Sequence, residues 1–287
     1  SEAKKMFPQP PEFTTPAVMR TQSYHMLDSD YFAITDAHVE EVIKFCAKAG
    51  CDPMFGALGE GAVETKGSVT GKIIDVSAPA ILRRAQFVKD KCRQYFGDET
   101  HCRNWDIGNE PPTPGENCEF YGSILIPTAI RTIKQVMPEA IFHAPELYSE
   151  TPRVRGSEET VGECIIRKIY ETDPSLKINV VTTHWYPYIC SYQGAGAVNV
   201  DGNAILKWDG FGPEIQKMTY PFNIVSNMRS WMGKYETSKN SAIGVGELNP
   251  MANCQGIDEV TYKVNQTWGS AFWHLDLLGI AANAGIK

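Results

Sequence analysis

The sequence predicts an α/β fold in which short parallel strands alternate with outer helices and curl into a barrel. Three observations carry that expectation. Five strand–helix units follow one another, each strand a short apolar run bounded by turn residues, the pattern of strands buried on both faces of a parallel sheet. The intervening helices each show one apolar face at a period near 3.6 residues. Polar residues gather at the exit of nearly every strand, as they do where a barrel builds its site from many loops; an open doubly wound sheet concentrates its site at one switch point.

Taken in order, residues 1–16 are polar and carry Pro8, Pro10, Pro11 and Pro16, which predicts an extended arm ahead of one barrel domain over 17–287. Ala17 to Thr21 reads as a strand. Asp36 can cap a helix with an apolar face of Val39, Val42, Ile43, Cys46 and Ala47, stopped by Gly50. Pro53 to Ala57 gives a strand that runs into the glycine-rich stretch Gly56 to Gly61, which lacks the spacing of a phosphate cradle. After a polar loop, Ile81, Leu82, Ala85, Val88, Cys92 and Tyr95 mark a second helix. The strand Trp105-Asp106-Ile107 follows and ends at Gly108-Asn109-Glu110-Pro111.

The unit then repeats. A helix starting or kinking at Pro127 turns Ile130, Ile133, Val136 and Met137 inward, and Ala140 to His143 form a strand ending at Pro145-Glu146. Val161, Cys164, Ile165 and Ile169 mark the next helix. Ile178 to Thr183 form a strand opening into His184-Trp185-Tyr186-Pro187-Tyr188, and the long loop from Ile189 to Lys217 has the length of a functional loop. Ile224, Val225, Met228, Trp231 and Met232 predict a helix before Ile243 to Val245, a strand that runs into Gly246-Glu247. A last helix carries Val260, Val264, Trp268, Ala271, Leu275 and Leu278.

Composition bounds the function. With 43% hydrophobic and 21% charged residues in 287, the chain has material for a substantial core. A net charge of −7, a pI near 5.5 and no Lys/Arg run argue against nucleic acid or an anionic membrane as partner. No apolar run approaches the ~20 residues of a bilayer span. The Met6-Phe7-Pro8 start does not read as a signal peptide, and a processed N-terminus would look the same.

Eight cysteines (46, 51, 92, 102, 118, 164, 190 and 254) show no zinc spacing. Their number suits a secreted protein with several disulfides, though counting alone leaves about 105 full pairings open. The triplet Asn265-Gln266-Thr267 is a glycosylation acceptor sequence. Together these features predict a disulfide-bonded glycoprotein, secreted or in a lysosome-type compartment.

Two strands ending in a glutamate, Glu110 and Glu247, suggest paired carboxylates facing one pocket, the equipment of a glycosidase. Pro111 and Pro112 stiffen the exit at Glu110, and Asn109 offers an amide for a sugar hydroxyl. No cofactor is called for by such chemistry, and the expected partner is an oligo- or polysaccharide substrate.

At this level of detail the chain resembles glycoside hydrolase clan A, and within it the heparanase and β-glucuronidase family, glycoside hydrolase family 79. The likeness is carried by CDPMFGALG, WDIGNEP, FHAPELYSETPR, THWYPY, and GVGELNPMANCQG with its sequel SAFWHLDLLGIAANAGI. The resemblance implies a (β/α)8 TIM barrel, incomplete in this chain, whose first and last strands are missing or supplied by a second chain or a processed fragment. It implies Glu110 as general acid/base and Glu247 as nucleophile of a retaining mechanism. Asn109 would bind the sugar beside the cleaved bond, Tyr186 would hydrogen-bond the nucleophile, and His184 would line the same subsite. Arg153 falls near a basic substrate-contacting position and hints at a uronic acid or a sulfated sugar. One departure is at Ala57-Leu58-Gly59-Glu60, where the family usually carries a sugar-binding asparagine. Two other readings remain open: a different clan A glycosidase of β-xylosidase or β-glucanase type, and a non-catalytic glycan-binding or structural protein that has kept the barrel.

Overall fold

A computed structural model of the chain describes residues 36–56, 63–65, 71–73, 78–108, 118–147, 153–154, 156–185, 188–189, 220–248, 251–252 and 278–286. The predicted arm, the strand at Ala17, the glycine-rich stretch after Gly56, most of the 189–217 loop, most of the last helix and the Asn265 triplet lie outside them. The chain divides into two compact units, Ser1–Gly108 with Asn117–Phe142, and Asn109–Glu116 with His143–Lys287.

In the first unit, helix α1 spans Asp36–Ala49 and buries Val39, Ile43 and Cys46, one line at i, i+4 and i+7. Val42, expected inward, is 47% exposed, because it lies to one side of that line. Gly50 ends the helix at φ 71°, a left-handed conformation that costs glycine nothing. Strand β1 is Met54–Gly56. The stretch expected as a polar loop holds a short antiparallel hairpin, β2 at Val63–Thr65 and β3 at Gly71–Ile73.

Helix α2, Ala78–Phe96, buries Ile81, Ala85, Val88 and Cys92 and leaves Leu82 at the surface. It packs on α1. Strand β4, Asn104–Asp106, runs parallel to β1 in a register that pairs Phe55 with Trp105, their ring centroids 5.7 Å apart. A π-helical turn at Phe120–Leu125 leads into α3, Ile126–Val136. Pro127 sits in the first turn of α3, where its missing N–H leaves no helical bond unmade. Helix α2 packs on α3 as well, and Lys89 Nζ donates to the Val136 carbonyl at 2.7 Å.

Strand β5 spans Ile141–Leu147 and continues through Pro145 and Glu146 rather than stopping before them. In the second unit α4, Val161–Thr172, is capped by Thr160, whose hydroxyl accepts the Glu163 N–H at 3.1 Å. Strand β6, Val180–Trp185, begins two residues later than expected and is followed by β7, Tyr188–Ile189. Helix α5, Tyr220–Met232, buries Ile224, Met228, Trp231 and Met232 and packs on α4. Strand β8, Ala242–Leu248, is followed by β9, Met251–Ala252. Residues 278–284 are helical, and Ile286 makes a parallel bridge to Ile243.

Five strands form one parallel sheet in the order β1-β4-β5-β6-β8, with helices between them in sequence. This is the α/β architecture the alternation predicts. Of the cysteines, Cys92 and Cys102 form a disulfide, Cys118 and Cys164 are disulfide-bonded too, and Cys46 and Cys51 are free thiols. Cys190 and Cys254 lie outside the described residues.

Candidate functional site

Parallel strands deliver all their C-terminal ends to one edge of a sheet, so chemistry spread along the sequence collects there. In the second unit three such ends, those of β5, β6 and β8, come from neighbouring strands. Both ladders are interrupted near that edge.

Between β5 and β6 the register runs Ala144↔Val181 and then Leu147↔Thr183. Pro145 and Glu146 therefore stand opposite the single residue Thr182. Between β6 and β8 it runs Val245↔Thr183 and then Leu248↔Trp185, so Gly246 and Glu247 stand opposite His184. Each is a bulge, two residues against one, which re-aims side chains and is over-represented beside active sites. The central strand is flanked by two bulges, each with a glutamate as its second residue.

A bulge takes backbone groups off the ladder, and those groups need other partners. Two threonine hydroxyls serve β5: the Glu146 N–H donates to Thr182 Oγ1 at 3.1 Å, and Thr183 Oγ1 donates to the Leu147 carbonyl at 3.3 Å. Glu146 itself has φ 56°, a conformation non-glycine residues seldom adopt and one that clusters at functional positions.

The Glu146 side chain is buried, 3% exposed, and its Oε2 lies 3.0 Å from Nε2 of His184, 1% exposed. Its other oxygen, Oε1, has no hydrogen-bond partner among the described residues. A Cβ added at Gly246 would overlap the Glu146 carboxylate, so the absence of a side chain there is what admits it. His143, on the same strand, is pushed below its ordinary range by burial, and the charge of Glu146 opposes that fall.

The expected site residues are distributed as follows. His184 is in this buried cluster, packed against a carboxylate. Glu247 is the penultimate residue of β8 and belongs to its bulge. Arg153 lies on a small hairpin closed by an Arg153–Thr160 bridge, exposed and ion-paired with Glu158. Asn109, Glu110 and Tyr186 lie outside the described residues. Beyond β6 and β8, β7 and β9 pair in parallel as a separate two-stranded sheet.

Glu146 is the residue the sequence reading passed over. Its signal was present in Ala144-Pro145-Glu146-Leu147, an acid beside a proline at the end of an apolar run, the same kind of mark that singles out Glu110. What gives it weight is its contact with His184, 38 positions further along. Among the described residues no cluster of His, Cys, Asp and Glu could hold a metal ion, and no helix is long and apolar enough to cross a membrane.

No protein-family model matches the chain, and no curated protein sequence does. Among solved structures it is similar to a glucosidase from Croceicoccus marinus, with a TM-score of 0.37 and 15% identity over 62% of this chain and 32% of that one. It is similar to a family 51 α-L-arabinofuranosidase from Bifidobacterium longum, with a TM-score of 0.45 and 13% identity over 77% of this chain and 40% of that one. A psychrophilic glycoside hydrolase family 10 endo-β-1,4-xylanase is similar at a TM-score of 0.43 and 10% identity, over 94% of this chain and 74% of that one. The chain spans less than half the length of the first two.

Proposed function

We propose that the chain is a retaining glycoside hydrolase acting on uronic-acid-containing glycans. The observation that supports it most is the β8 bulge, which sets Gly246-Glu247 opposite His184 at the C-terminal end of a parallel sheet. In this reading Glu247 attacks the anomeric carbon and Glu110 first protonates the leaving oxygen, then deprotonates the incoming water. Asn109 holds the hydroxyl next to the cleaved bond, Tyr186 hydrogen-bonds the nucleophile, and Arg153 pairs with the sugar's anionic group.

The test is Glu247→Gln. Hydrolysis of aryl glucuronides and of uronic-acid polysaccharides is expected to fall by several orders of magnitude with the fold retained; unchanged hydrolysis overturns the assignment. A second reading, a clan A glycosidase of neutral sugars, is favoured by the Arg153–Glu158 ion pair, which already supplies that arginine with a carboxylate. A panel of aryl glycosides separates the two by which sugar is released.

A further inference from the structure

We propose that Glu146 is a positioning residue of this site: it fixes the His184 imidazole and, by lying across Gly246, couples the two bulges on either side of β6. The inference deepens the glycosidase reading and rests on it for its catalytic part.

Three observations converge. Both members of the pair are almost fully buried, so this is not a surface ion pair of the kind that contributes little. Burying a carboxylate is costly unless it is well partnered, yet the chain keeps one here in a left-handed backbone conformation. Gly246, the residue before Glu247, leaves the space the carboxylate occupies. A histidine whose Nε2 meets a carboxylate is held in one orientation and in the form that carries a proton on that nitrogen. The backbone stretch on which Glu247 stands is thereby packed against a fixed group rather than a mobile one.

The test uses the full chain with 15N-labelled histidine and two variants, Glu146→Gln and Gly246→Ala, singly and together. His184→Gln assigns the His184 resonances. In Glu146→Gln those resonances are expected to leave their wild-type positions, while kcat on the substrate hydrolysed by the wild type falls about 10- to 100-fold, by analogy with carboxylates that orient metal-binding histidines, and KM stays within about twofold. Gly246→Ala should reproduce the resonance change by displacing the carboxylate, and the double variant should be no worse than the worse single one. The single Gly246→Ala form decides the matter if Glu146→Gln does not fold.

Unmoved His184 resonances overturn the proposal, as does an unchanged kcat alongside moved resonances. A wild-type chain that hydrolyses none of the glycosides overturns the glycosidase reading and the catalytic role with it. The resonances then still decide whether Glu146 fixes His184.

Discussion

Both units carry ion pairs at the surface, and the second also buries an imidazole against a carboxylate. In the first, charged groups meet at the surface between α1 and α2: Glu40 accepts a hydrogen bond from the Tyr95 hydroxyl and pairs with Lys91 at 2.9 Å and with Lys44 at 3.4 Å. Its core centres on Ile43, Ala85, Val88, Ile130 and Ile133, and a disulfide ties α2 to the turn just before β4. In the second unit a carboxylate and an imidazole sit inside, between strands whose ladders are broken to admit them. Surface pairs of the first kind contribute little and are easily replaced. A buried pair is a poor way to gain stability and, once present, a costly one to break. The comparison teaches where to look for function: at the place where the fold tolerates expense.

Substitutions at the strand ends of the second unit reach the proposed site, and those in the first unit act on stability alone. The largest expected effect is the loss of hydrolysis by several orders of magnitude in Glu247→Gln, with the unfolding midpoint little changed; a glycoside assay beside thermal unfolding checks it. His184→Ala is next. It removes the imidazole that partners the buried Glu146 carboxylate and should cost about 3–5 kcal/mol in denaturant unfolding. A loss under about 1 kcal/mol would place the pair with ordinary surface interactions.

In the first unit the Cys92–Cys102 link closes a short loop, with a sequence separation of 10. Replacing both cysteines by alanine should cost about 2–3 kcal/mol by the chain-entropy argument, read as a lower unfolding midpoint under oxidising conditions. Thr160→Ala removes the cap of α4 and should cost about 1 kcal/mol, without moving kcat. The smallest effect belongs to Glu40, whose carboxyl is lowered to about 2 by the Tyr95 hydroxyl first and by Lys91 next. A lowered carboxyl stabilises the fold above its unfolded pKa, near 4.5, and loses that contribution as pH falls toward 2. Glu40→Gln should therefore differ slightly from wild type in melting temperature at pH 7 and converge with it by about pH 2; a gap that persists in acid contradicts the assignment.

Much of the scaffold was legible because its causes are local. Asp36 and Gly50 bracket α1 in the sequence as they do in the structure, and the inward lines of α2, α4 and α5 follow from helical periodicity. Where the reading missed, the cause was a neighbour. Val42 and Leu82 are apolar and close to an inward line, yet both are exposed. Strand β5 was expected over Ala140 to His143, ending at Pro145-Glu146; it runs on to Leu147, and hydroxyls of Thr182 and Thr183 on the next strand serve its backbone there.

The sequence by itself determined the alternation of strand and helix and the ends of α1, since each is written in adjacent residues or in a short period. Tertiary structure alone decided that the ladders slip on both sides of β6, that Glu146 meets His184, and that Gly246 must be small. Register is a relation between two strands, and a bulge depends on how both pack; neither can be read from one run of residues.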